Sequence, residues 1–436
     1  MNTKTMLFAQ ALTAAIEKVK QAGNISKEIT LVRDLRGRIR VLLPIGEDDY
    51  KDKKDAIVAL GADLSMILGN YGFPPETMVL YSKNLAVADS ELNDRVVLYQ
   101  GKGMTIHLLD RQIIGQDWLK DSYNRTTSNP RAAFFGIKGG VGRSTALVIW
   151  AWRLAKQGKK VLIFDLDLES PGVSSTILPK ELLSDFGIVD WFVEDGVGQA
   201  AFIEREMIAI SPVARELSGE IRIVPAFGRK TDEYLPKLAR CYADTASANN
   251  ASWGNRLERM VTLFEESERP DIVILDSRAG IHDIAATVIT RMDAQSFLFA
   301  VDSSQTWKAY SFLFSHWKRH PGLASIREKL QIVASMVPET DRDEYLKRFR
   351  EHSWDLFRDY LYDEAAATAE DAFNFDLNNE EAPHYPLPVF WHRALQEFNP
   401  AASSTGIGEK TAVEALGIFM DAADRLVMPT DEESGL

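Results

Sequence analysis

The chain has 436 residues, 45% of them hydrophobic and 26% charged, with a formal net charge of -13 and a pI near 5.2. That length exceeds what one hydrophobic core usually holds, so two folded units are expected. The acid excess argues against a protein built around a large nucleic-acid footprint, although a local basic face is compatible with it. The single cysteine, Cys241, excludes an internal disulfide and any multi-cysteine metal or iron–sulfur site within one chain, and it suits a reducing cytoplasm.

Met6-Leu-Phe-Ala is apolar, but Gln10 interrupts it. Phe8, Leu12, Ile16 and Val19 fall on one helical face with Glu17, Lys18 and Lys20 opposite, which predicts an amphipathic helix and not a signal peptide. Ile29-Thr-Leu-Val and Ile39-Arg-Val-Leu-Leu flank Asp34-Leu-Arg-Gly-Arg, a strand, turn and strand pattern. Between Tyr50 and Leu68 the apolar positions Ile57, Leu60, Leu64 and Leu68 keep helical spacing, and Gly69-Asn70 ends the helix. Short strands are expected near 78–81, 96–99 and 105–109. Residues 1–120 thus read as a small α+β unit without a catalytic constellation, and its expected use is interaction with a protein partner. The polar stretch 121–131, which ends in Asn129-Pro130-Arg131, reads as a linker.

The second unit opens on Phe134-Phe-Gly-Ile-Lys-Gly-Gly-Val-Gly-Arg-Ser-Thr145. A glycine-rich turn between an apolar strand and a helix points backbone N–H groups inward, so the turn and the helix N-terminus can cradle phosphate oxygens. Gly139, Gly140 and Gly142 supply the backbone freedom, Arg143 a cation for the phosphates, and Ser144 a hydroxyl for Mg²⁺. The general phosphate-loop pattern G-x-x-x-x-G-K-[ST], laid over 137–144, puts Ile137 at the first glycine and Arg143 at the lysine. A helix over 146–156 and a buried strand at Val161-Leu-Ile-Phe complete a βαβ unit.

That strand ends in Asp165-Leu-Asp167, at the sheet edge where open α/β folds place ligands. Glu220 to Ala226 predicts another strand and Trp253 to Glu268 an amphipathic helix. Pro270-Asp-Ile-Val-Ile-Leu-Asp276-Ser-Arg-Ala-Gly280 repeats the buried strand ending in an acid. A strand at Ser296–Val301 and a helix near Trp307–Trp317 follow. Trp317-Lys-Arg-His-Pro and Lys347-Arg-Phe-Arg are basic clusters on predicted helices. The acidic interval between Arg358 and Arg393 reads as a mobile insertion.

Lys138-Gly-Gly-Val resembles the deviant Walker A motif of the MinD/ParA class of P-loop ATPases, K-G-G-V-G-K-[ST]-T, with Lys138 as its signature lysine and Arg143 as a departure. The resemblance implies a doubly wound, mostly parallel sheet over 132–430, ATP and Mg²⁺ as cofactors, and a slow switch that dimerises on ATP. Lys138 through Thr145, with Val141 among them, would then hold the phosphates. Asp167 would orient the attacking water, and Lys138 and Arg143 would stabilise charge. Ser144, Asp165, Asp167 and Asp276 would surround the metal. Gly280 would approach the γ-phosphate, Pro386 would pack near the base, and Ser335 or Met336 would stand where the family has a base-reading Asn. A non-catalytic nucleotide-binding adaptor and a DNA-binding segregation ATPase are the competing expectations. The acidic C-terminal helix and tail argue against a membrane anchor.

Overall fold

The computed structural model describes residues 6–23, 25–84, 95–101, 103–111, 129–242, 252–318, 322–364, 372–401 and 407–428. The chain divides into two compact units, 1–116 and 117–436. Most of the expected linker, 121–128, and the tail beyond 428 lie outside the described residues. Arg131, assigned to the linker from sequence, instead starts a central strand, where its guanidinium is buried and bonded to Glu265.

The first unit runs α1 (Phe8–Ala22), β1 (Glu28–Arg33), β2 (Ile39–Leu43), α2 (Lys54–Leu68), α3 (Pro75–Met78), β3 (Val79–Tyr81), β4 (Val96–Gly101) and β5 (Met104–Asp110). Its sheet has the order β3-β2-β1-β5-β4, with β1 parallel to β5 and antiparallel to β2. The β1–β2 turn is fixed by the Asp34 carboxylate, which accepts the Arg36 and Arg38 amides, and by a left-handed Gly37. The buried face of α1 is Ala11, Ala15 and Val19, while Phe8 is exposed. The predicted stripe is therefore rotated: alanines let the helix sit close to the sheet, and the larger Leu12 and Ile16 flank that contact.

The second unit contains β6 (Arg131–Gly136), α4 (Arg143–Lys156), β7 (Lys160–Asp165), α5 (Val173–Ile177), α6 (Ile188–Gly196), β8 (Ala209–Ile210), β9 (Glu220–Val224), α7 (Tyr234–Cys241), α8 (Trp253–Glu268), β10 (Ile272–Asp276), α9 (Asp283–Thr290), β11 (Gln295–Ala300), α10 (Ser304–Trp317), α11 (Leu323–Arg327), β12 (Leu330–Val337), α12 (Arg342–Tyr360), β13 (Leu387–Phe390) and α13 (Glu409–Val427). Its eight strands lie in the order β13-β12-β11-β6-β10-β7-β9-β8, and every pairing is parallel except β8 with β9. The chain leaves β6 toward β7 on one side and later crosses to β11 on the other, which makes the carboxyl end of β6 a topological switch point. The outermost strands are short: β8 has two residues, and β13 carries Pro388.

Both faces of this sheet are covered, which is why β6, β7 and β10 are apolar without alternation. On one face Phe134 meets the rings of Trp150, Phe297, Phe299 and Phe419 at centroid distances of 5.4–6.0 Å, joining α4 and α13 to the sheet. Truncating a buried ring there costs about 3–5 kcal/mol. The acidic interval is a correction to the sequence reading. From 372 onward it is pinned: Phe373 and Phe375 pack on Tyr362, the Trp354 indole donates to the Phe375 carbonyl, and His384 is wholly buried. Aromatic anchors outweigh the acidic composition; residues 365–371, with Glu370 and Asp371, lie outside the described residues.

Candidate functional site

Residues 137–142 carry the chain from the end of β6 into α4. Gly140 (φ 71°) and Gly142 (φ 78°) are left-handed, a conformation that strains any residue with a Cβ. Gly142 opens directly onto α4, so the turn's amides gather at a helix N-terminus, where an anion is stabilised. The turn is braced from behind, because the buried Val141 offers its carbonyl to the Ser335 hydroxyl at the end of β12. A methyl group on Gly142 would lie 3.5 Å from Met336 Sδ and 3.8 Å from Ser335 Oγ. Gly139 is exposed on the rim, and Thr145 lies in the first turn of α4.

Register places Asp276, the last residue of β10, beside Asp165, the last of β7; both are fully buried, and Asp167 is 8% exposed. Neighbouring carboxylates in so apolar a place need a compensating cation. Arg143 provides it. Its Nε donates to Asp276 Oδ1 at 2.8 Å and its Nη2 to Asp167 Oδ2 at 3.2 Å, while Ser144 Oγ donates to Asp276 Oδ2 at 3.1 Å. Burial draws the pKa of Arg143 down, but Asp276 and Asp167 outweigh it and the net shift is upward, so the guanidinium is charged. Burial raises Asp276 and Asp167, with Arg143 opposing it in both. Asp165 is pushed up to about 7, by burial first and by Asp276 second. Its Oδ2 accepts the amide (2.9 Å) and hydroxyl of Ser174, and among the described residues its Oδ1 has no hydrogen-bond partner.

The rim is built by other contacts. Lys138 Nζ donates to Ser303 Oγ at 3.3 Å, at the start of α10. Glu169 Oε1 accepts Arg278 Nη1 at 2.5 Å and the Tyr242 hydroxyl at 2.9 Å, so the segment after β7 is tied to the segment after β10. Gly280 is left-handed, and its amide donates to the Gly136 carbonyl at 3.0 Å. Pro386 precedes β13, and no contact described for it reaches the loop. Sequence reasoning missed Ser174, Ser303 and the Glu169–Arg278 pair; a hydroxyl or counter-charge far along the chain leaves no local pattern.

The four residues expected around Mg²⁺ do share one cluster, but a cation already occupies it. Both oxygens of Asp276 are engaged, by Arg143 and by Ser144, and Asp167 is bonded to the same guanidinium. Among the described residues no group of three or more His, Cys, Asp or Glu side chains could hold a metal ion. As arranged, these residues do not fit Mg²⁺.

A left-handed glycine turn at the switch point of a doubly wound parallel sheet, opening onto a helix and backed by acid-ended strands, defines a P-loop nucleotide-binding unit. The family model described as the CobQ/CobB/MinD/ParA nucleotide binding domain matches residues 132–345, and that stretch of the chain is a domain of this family. Nitrogenase iron protein 2 of Methanothermococcus thermolithotrophicus is 36% identical over 98 residues, covering 22% of this chain and 33% of that protein. The chain thus spans a third of the length of that curated relative. Among solved structures, pNOB8 ParA bound to nonspecific DNA is 13% identical with a TM-score of 0.42, over 68% of this chain and 97% of that one. A ParA family ATPase from Chlorobium tepidum TLS is 13% identical with a TM-score of 0.37, over 71% and 100%. Cobyrinic acid a,c-diamide synthase from Mycobacterium smegmatis, with bound ATP analogue and magnesium, is 16% identical with a TM-score of 0.38, over 69% and 99%. Among the described residues no helix is long and apolar enough to cross a membrane.

Proposed function

We propose that residues 132–430 bind ATP on the loop Lys138–Thr145 and act as a slow molecular switch, two copies closing on bound nucleotide and reaching protein partners through residues 1–120. The observation that carries this reading is the turn with left-handed Gly140 and Gly142 opening onto α4, with the Ser144 hydroxyl on Asp276 behind it. Among the described residues Lys138 is held only by a neutral hydroxyl, so a phosphate oxygen, in its own or a facing copy, is a stronger acceptor for it. Asp167 is the residue to orient a water, and Gly280 presents its amide to phosphate once it leaves the Gly136 carbonyl. Because one Asp167 oxygen is already committed to Arg143, the carboxylate is less available to orient a water, and turnover is low.

Thermal melting tests the binding: at a hundredfold excess of ATP over Kd the linkage is worth about 2.7 kcal/mol, and no shift at millimolar ATP rejects the assignment. Lys138→Ala should weaken ATP-dependent dimerisation in light scattering. Asp167→Ala should abolish phosphate release. The Arg143–Asp167 bond also favours a second reading, an adaptor that holds ATP without turnover, and an absence of phosphate release from the wild type selects it. A DNA-binding role has less support: on α12, Arg348 is bonded to Asp302, while Arg342 and Arg350 cover the rings of Phe390 and Tyr385.

A further inference from the structure

Building on the nucleotide-binding reading, we propose that Arg143 takes the place of the divalent cation, so that this chain binds ATP without Mg²⁺. A divalent ion in a phosphate loop does two jobs: it links the helix-terminal hydroxyl to the phosphates, and it screens their charge from the acid at the end of the neighbouring strand. Here the second job is already performed by a covalently attached charge. Arg143 is 7% exposed and lies between the turn that would receive the phosphates and the two carboxylates Asp276 and Asp167, spending its Nε and one Nη2 hydrogen on them. Among the described residues its Nη1 group has no hydrogen-bond partner, and it carries further donors.

A lysine at this position is a single compact charge that can serve a phosphate or a carboxylate. The planar fork of arginine can serve both at once. An added divalent ion would sit against a guanidinium that stays charged, and it would find both Asp276 oxygens taken. A second arginine repeats the arrangement at the rim, where Arg278 pairs with Glu169. The segment Asp165 to Glu169 is thus met by cations at two of its acids, Asp167 and Glu169, and both cations are supplied by the chain.

The test is calorimetric titration of the full chain with ATP, once with magnesium chloride and once with EDTA. The expected Kd values agree within about threefold, and Arg143→Lys should bind at least about tenfold more tightly with magnesium than without it. Wild-type binding that is tenfold or more tighter with magnesium overturns the proposal, and so does an Arg143→Lys protein that stays indifferent to the metal. If that variant does not fold, the wild-type ratio decides alone. An absence of binding under both conditions overturns the nucleotide-binding reading itself, and the two failures are therefore distinguishable.

Discussion

The carboxyl edge of the large sheet is charged on one side of β6 and close to neutral on the other. On the β10–β7 side one guanidinium is bonded to two buried acids, Asp276 and Asp167, and a third, Asp165, lies in register beside Asp276, so that a change of charge at Asp276 is felt by both Arg143 and Asp165. On the β11–β12 side the loop meets Ser303, Ser335 and Met336, and the acid that follows β11, Asp302, is satisfied separately by Trp307 Nε1 at 2.8 Å, Arg348 Nε at 2.6 Å and His352 Nδ1 at 2.9 Å. Two of those partners, Arg348 and His352, are about half exposed, so water can replace them. The same glycine turn is thus suspended between a floor whose charges are coupled and a wall whose contacts are independent. A change on the first side propagates; on the second it stays local.

Arg143→Ala gives the largest expected effect. It strands Asp276 beside Asp165, and removing one partner of a buried pair costs about 3–5 kcal/mol. The loss, read by denaturant unfolding, should be largest near pH 8 and smaller near pH 5, where the carboxyl groups can take up protons. An equal loss at both pH values would break the comparison. Asp165→Asn comes next. The folded-state pKa of Asp165 is raised from 3.8 to about 7, so the folded chain holds the proton more tightly and the stability from that proton is lost as pH rises from about 4 through about 7. The asparagine variant should flatten that slope in melting experiments and melt higher than wild type above pH 7.

On the neutral side effects should be smaller. Asp302→Ala removes an acceptor from partners that water can serve, at a cost of about 1–2 kcal/mol. Met336 has φ 56°, an uncommon conformation for a side chain with a Cβ, and Met336→Gly should stabilise by about 1 kcal/mol at most. A loss from Arg143→Ala no larger than that from Asp302→Ala would mean that the acids are not coupled through the guanidinium.

What was legible in the sequence was local. The runs Val161-Leu-Ile-Phe and Ile272-Val-Ile-Leu, each ending in Asp, predicted the two strands flanking the site, and the glycine spacing predicted the turn. The direction of Arg143 was not legible. A cation in the lysine's position was expected to reach phosphate, yet it turns toward Asp276, 133 residues away, because buried carboxylates in register are a stronger local demand than a solvated phosphate site. The pinned segment after 372 was hidden for a related reason: its acids dominate the composition, but Phe373 and Phe375 decide its position. Helices α6, α7 and α9 have only eight or nine residues each, too few for a clear periodic pattern, and left little trace.

Both margins of the large sheet are blunt. β8 offers only Ala209 and Ile210 to a neighbour, and in β13 Pro388 has no N–H to donate. A sheet whose outer strands are this short or this poor in donors cannot be extended by a strand from another molecule, and it gives amyloid-like stacking no template. Copies of the second unit that meet in solution therefore do so through loops and helix faces and not by joining the large sheet, which leaves self-association of that unit to surfaces that a bound ligand can remodel.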